Sequence, residues 1–209
     1  MLPPFTASDR PSSIAGTTMI WLFLIVAAAV AVVLVVVAIG FVLPRDHTAT
    51  RTVDVSTPPD DVWSVITDVA AYPKWRPDVT RIEPLPDVDG RPSWREIRRR
   101  DSIPYETVES VPSQRFVTRI ADRGLPYGGQ WTIELAPLVA GTPRGTRVTI
   151  TERGEIYNPV YRVVAHFVLG YTATMDGYLH ALRRWLDTMS AQPPAGTATP
   201  RPDLPTPAS

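Results

Sequence analysis

The chain contains no cysteine, which excludes disulfides, thiolate nucleophiles and thiolate metal sites together. Histidine is scarce too, with three in 209 residues. His47 falls in what reads as a tether, while His166 and His180 fall on one predicted helix. At that spacing the last two stand about 21 Å apart along the axis, too far to share a metal ion. There is no G-x-S-x-G, no phosphate-cradling glycine loop and no dinucleotide fingerprint, so no cofactor is expected. Charge of either sign is not in surplus: Lys+Arg and Asp+Glu both total 21, which argues against nucleic acid as a partner. The one basic cluster, Arg95 with Arg98, Arg99 and Arg100, lies on an alternating segment that splits it between two faces, and it reads as solvated surface.

What the chain does have is a long apolar run. Residues 19–43 (MIWLFLIVAAAVAVVLVVVAIGFVL) carry no charge, and as a helix they would span roughly 37 Å, enough to cross the roughly 30 Å hydrocarbon core with some tilt. Trp21 sits near one end, where an interfacial anchor belongs. The run is longer than a secretory h-region, lacks a basic n-region beyond Arg10, and has no A-x-A-like site before Pro44. A retained single-pass helix is therefore expected. The flanks differ by one arginine, which leans towards a cytoplasmic soluble domain. The organisation expected is a polar tail at 1–18, the membrane helix at 19–43, a tether at 44–50, one domain at 51–189 and a disordered Pro-rich tail at 190–209.

Within the domain, residues 48–56 alternate around Val53 and Val55 as a half-buried strand does. Thr57 as cap, Pro58 at the first helical position and the acids Asp60 and Asp61 predict a helix start. Val62, Val65, Ile66 and Val69 supply its apolar face. Tyr72-Pro73 breaks it before a second short helix or turn. Strands are predicted at 79–85, 93–100, 105–111, 115–122, 130–138 and 146–157. Asp87-Val88-Asp89-Gly90 forms a hairpin turn rather than a calcium loop, since the later ligands are missing. Gly128-Gly129 and residues 141–145 supply the other turns. From Asn158-Pro159 to about Met189, an apolar stripe through Val160, Val164, Phe167, Tyr171, Met175, Tyr178, Leu182 and Trp185 predicts one long helix. The order implies an antiparallel sheet with that helix on one face, a two-layer α+β domain.

Two stretches carry a family resemblance. VDVSTPPDDVWSVITDVAAYPKWRPDV (53–79) resembles the opening of the START-like superfamily, in its polyketide cyclase/dehydrase and lipid-transport branch. GGQWTIELAPLVAGTPRGTRVTITERGEIYNP (128–159) resembles the same family's last two strands and the lead into its final helix. The resemblance implies a helix-grip fold, with a curved antiparallel sheet around a long C-terminal helix and an apolar cavity between them. It implies hydrophobic guests such as lipids, sterols or polyketides, with cyclisation in a minority of members, and no shared catalytic residue.

Ligand binding asks only for an apolar cavity with a few orienting polar groups. Trp75, Trp94, Phe167, Tyr171, Met175 and Tyr178 are the expected lining, and the expected partner is a hydrophobic small molecule or lipid drawn from the adjoining membrane. The alternative is a cyclase or dehydratase. In it, Glu96, Glu106, Glu134 or Glu152 would act as acid or base, with Tyr105, Tyr171 or Tyr178 holding an enolate-like oxygen. A third reading is an interaction module whose cavity is filled by its own side chains.

Overall fold

A computed structural model describes residues 13–139 and 142–191 of the chain. The expected tails lie outside the described residues up to residue 12 and from residue 192. The apolar run forms one uninterrupted helix, α1 (Ser13–Val42). Its stretch Thr18–Val42 is long and apolar enough to cross a membrane by length and composition, and its most apolar window is not buried against the rest of the chain.

The tether is shorter than the sequence reading. Strand β1 (Asp46–Val55) starts almost at the helix end, because the alternation at Val53 and Val55 continues back through Ala49 to His47. Only residues 43–45 separate the two elements. Six further strands follow: β2 (Val79–Val88), β3 (Arg91–Arg98), β4 (Ser102–Val111), β5 (Arg115–Ile120), β6 (Tyr127–Val139) and β7 (Thr142–Ile156). The sheet order is β1-β7-β6-β5-β4-β3-β2. Strands β2 to β7 form an antiparallel meander, and β1 closes on the free edge of β7 from Asp46↔Glu155 to Val55↔Thr146. Asp89 and Gly90, with φ of 52° and 71°, make the tight β2–β3 turn. Gly128 and Gly129, predicted as a turn, lie within β6 instead.

Helix α2 (Pro59–Thr67) begins one residue later than predicted. Pro59, not Pro58, takes the first helical position, and Thr57 does not cap it. The Thr57 carbonyl instead accepts the Thr146 hydroxyl at 2.6 Å. Val62, Val65 and Ile66 face inward as their spacing requires. A 3-10 turn leads into α3 (Tyr72–Trp75).

The single C-terminal helix divides in two. Helix α4 (Pro159–Val164) is capped by Asn158, whose Oδ1 accepts the Tyr161 amide at 3.1 Å. A π turn (Ala165–Leu169) then ends at Gly170, which has φ of 70°, a left-handed conformation that glycine adopts without steric penalty and that stops a helix. Helix α5 (Ala173–Ala191) restarts beyond it. The apolar stripe splits accordingly: Met175, Tyr178 and Leu182 are buried, whereas Val160, Val164 and Phe167 are exposed. Helices α2, α3 and α5 contribute to one core with the inward-facing strand residues. Ile66, Ile150, Met175 and Leu182 are among its fully enclosed side chains. The result is a two-layer, helix-grip-like α+β fold.

Candidate functional site

Strand parity places one row of side chains from each strand on the helix side of the sheet. On β3 these are Trp94, Glu96 and Arg98; on β4, Ile103 and Tyr105; on β6, Trp131 and Ile133; on β7, Glu152. Between this face and α5 lies a cavity of about 390 Å³, within the roughly 300–1,000 Å³ usual for small-molecule pockets. Glycines help to keep it open. In the row His47↔Gly154↔Gly129, His47 has the only side chain beyond a hydrogen, and a Cβ on Gly154 would lie 2.2 Å from its ring.

One wall holds a buried ionic network. Arg76, at the end of α3, donates from Nη1 and Nη2 to the two carboxylate oxygens of Glu96 at 2.7 and 3.1 Å. Arg76 Nη2 also donates to Asp78 at 2.7 Å. Arg98 Nη2 donates to Glu96 Oε2 at 2.7 Å and to the Tyr105 hydroxyl at 3.0 Å. Arg76 and Glu96 are 5% and 2% exposed, so the bidentate pair matters more than a surface ion pair would. Burial disfavours a charged Arg76, but Glu96 and Asp78 outweigh it and hold the guanidinium protonated. The same guanidinium lies 5.0 Å from the Tyr72 ring centroid and 5.3 Å from that of Tyr178.

The phenols around this network are held neutral. Burial, reinforced by the Glu96 charge, lifts the Tyr105 hydroxyl well above its usual range, against the opposing pull of Arg98. Burial pushes Tyr178 up to about 12, opposed by Arg76. Tyr72 is also raised well above its usual range, again chiefly by burial, and its hydroxyl donates a hydrogen bond to the Ile66 carbonyl at 2.7 Å. Tyr72 and Tyr178 are close enough to interact electrostatically, yet their hydroxyls lack hydrogen-bond geometry. Among the described residues, the Tyr178 hydroxyl and the Trp94 indole N–H are buried without a hydrogen-bond partner.

A second cluster stands at the end of the cavity nearest α1. Glu152 accepts the Trp131 indole N–H at 3.0 Å and lies 3.4 Å from His47 Nε2. The Tyr171 ring stacks on His47 at 4.0 Å between centroids. Tyr127 and Tyr161 stack beside it at 5.7 Å.

The sequence-predicted lining residues fall in three places. Trp94, Tyr171 and Tyr178 line the cavity. Trp75 and Met175 are core residues, Trp75 meeting Tyr178 edge-on at 5.2 Å and Met175 fully enclosed. Phe167 points outward and is 66% exposed. Of the four glutamates, Glu96 and Glu152 reach the cavity. Glu106 and Glu134 pair with Arg119 and Arg115 instead. Sequence reasoning missed His47, Arg76 and Arg98. Arg98 belongs to the buried network, not to solvated surface. Extending the predicted 48–56 strand back by one residue would have found His47.

Residues 46–186 match the sequence profile of the family described as polyketide cyclase / dehydrase and lipid transport. The chain belongs to that family. None of the curated protein sequences matches it. Among solved structures, a START superfamily protein from Mycobacterium smegmatis is similar, at 17% identity and a TM-score of 0.55, covering 68% of this chain and 99% of its own. The Zhui aromatase/cyclase from Streptomyces is 16% identical with a TM-score of 0.53, over 69% of this chain and 96% of its own. Norcoclaurine synthase from Thalictrum flavum is 11% identical with a TM-score of 0.54, over 68% and 86%. At these identities the likeness establishes the family's fold, here preceded by α1, and leaves the chemistry to be argued from this chain's own residues.

Proposed function

We propose that this chain binds a hydrophobic small molecule or lipid in the cavity between sheet and α5, and that α1 anchors it to a membrane. The observation that carries the reading is the cavity's make-up. Its wall is largely aromatic and aliphatic, and the ionic network at its side is already self-neutralised. Among the buried polar groups without partners on this wall are the Trp94 N–H and the Tyr178 hydroxyl. A guest with an apolar body and one or two acceptor oxygens satisfies both donors while displacing little bound charge. An interaction module with a filled cavity finds no support in a cavity of this size.

The test is displacement of a fluorescent lipid from the full chain in detergent micelles. Thr118 lines the cavity, and Thr118→Trp should fill it and abolish binding while the far-UV circular dichroism is retained. Equal binding by wild type and variant would count against this cavity as the site.

A second reading is acid/base chemistry of the cyclase or dehydratase type. It is favoured by one observation, the His47–Glu152 pair on the cavity wall. Glu96 is unsuited to that role because both its oxygens are engaged by guanidinium groups. Glu152, with an imidazole beside it and one indole donor, is the better candidate base. Turnover of a polyketide-like substrate that survives Glu152→Gln would remove this reading.

A further inference from the structure

The junction between α1 and the domain is not a swivel. Arg162 is 6% exposed, and its guanidinium is spent entirely on backbone carbonyls. Nε donates to Ile156 at 2.7 Å, Nη2 to Tyr157 at 3.1 Å, and Nη1 to Gly40 at 2.9 Å and Leu43 at 3.3 Å. The Gly40 carbonyl belongs to the last turn of α1 and the Leu43 carbonyl lies one residue past its end, where no helical amide remains to satisfy them and a cation is favoured. The packing is equally tight. A Cβ on Gly40 would come within 2.0 Å of the Pro159 carbonyl oxygen, so α4 lies directly on the end of α1.

That contact fixes where the exposed apolar surface of α4 and the π turn must sit. Val160, Val164, Phe167 and Val168 are 42%, 36%, 66% and 75% exposed. Helix α4 packs against α1, whose last turn exposes Ile39, Phe41 and Val42 as well, and the π turn carries Phe167 and Val168 onward from α4. Between Pro159 and Val168 the ionisable side chains are Arg162, turned inward, Tyr161 and His166. The opposite side of the same segment is cavity wall, formed by Tyr161 and Ala165, with Gly170 and Tyr171 just beyond. One short segment thus separates the cavity from an apolar patch continuous with α1.

We infer that the α4–π segment is seated in the interfacial layer of the bilayer, clamped to α1 through Arg162, so that its wall of the cavity faces lipid. The inference rests on the proposed anchoring by α1. It makes the ligand source the adjoining leaflet and the orientation of the domain fixed.

Because the chain has no cysteine, single spin labels can be placed at will. Four variants of the full chain, Val32→Cys, Val139→Cys, Phe167→Cys and Val168→Cys, are labelled in mixed phosphatidylcholine and phosphatidylglycerol vesicles. Val139 is the control, an apolar residue 58% exposed at the far end of β6, about 40 Å along the strand from Tyr127. Collisions with oxygen, which partitions into lipid, are compared with collisions with a water-soluble nickel chelate. Labels at 32, 167 and 168 should favour oxygen several-fold over the label at 139. A label at 32 in lipid with 167 and 168 as water-exposed as 139 overturns the inference and spares the anchor. A label at 32 in water overturns both. Adding Arg162→Met should raise nickel accessibility several-fold at 167 and 168 and leave 32 unchanged; no change at 167 and 168 would overturn the clamp.

Discussion

The cavity wall carries two polar clusters built from similar residues to opposite plans. Around Glu96, every carboxylate oxygen is engaged and the two guanidiniums face two carboxylates, with Tyr105 completing the set. Around Glu152, one indole donates a hydrogen bond, an imidazole stands at 3.4 Å, and His47 Nδ1 has no partner among the described residues. With its carboxylate oxygens all engaged and Arg98 Nε buried without a partner among the described residues, the first network can hold a fold in one arrangement and leaves few groups for a guest. The under-coordinated pair gives up less stability and keeps capacity for hydrogen bonding or proton transfer. The difference separates the part of the wall that maintains the cavity from the part that can respond to its contents.

Breaking the saturated cluster should have the largest effect. Glu96→Ala removes the carboxylate shared by Arg76 and Arg98 and leaves both to Asp78, and loss of one partner from a buried ion pair costs about 3–5 kcal/mol. The expected result is a large drop in the urea midpoint, and a midpoint close to wild type would show that the network contributes little. The same cluster sets the alkaline limit. Burial raises Tyr178, Tyr72 and Tyr105 in the folded state, so the stability they confer is complete below the usual tyrosine value of 10.0 and is lost as pH climbs through the raised values, for Tyr178 about 12. Unfolding followed by tyrosine absorbance should begin above 10, and Tyr178→Phe should lessen that alkaline sensitivity.

At the acid end the expected effect is smaller. Burial opposes ionisation of Asp78, but the Arg76 hydrogen bond and the charges of Arg76 and Arg98 prevail and lower it below its ordinary 3.8. Its contribution is therefore complete above 3.8 and lost as pH falls through the depressed value. Asp78→Asn should flatten the thermal midpoint profile below pH 4 and leave its slope near neutrality unchanged. Smallest of all, Glu152→Gln keeps an acceptor for Trp131 and should shift stability by about 0.5 kcal/mol or less. A cost as large as that of Glu96→Ala would erase the distinction between the clusters.

Much of this arrangement is written in alternation and spacing. The seven strands, the inward rows of β3 and β6, the α2 face and the Asn158 cap follow from period-two and period-three-to-four patterns and from turn chemistry. Three features do not. Arg76 and Glu96 are twenty residues apart, and no local pattern shows that they pair in one wall of the cavity. Gly170 interrupts an otherwise continuous stripe, and its cost in a helix is small enough to be read through; its positive φ, which breaks the helix there, is not visible in the spacing. His47 was hidden by a strand start set too late, since a polar residue beside the apolar helix resembles tether.

A hydrophobic guest in the cavity has a mass that can be weighed. Native mass spectrometry of the full chain, released from gentle detergent, tests for it most directly. The account predicts a population heavier than the bare chain by one apolar molecule, absent from Thr118→Trp. Bare mass in both proteins, with no uptake when lipid is supplied, would contradict it.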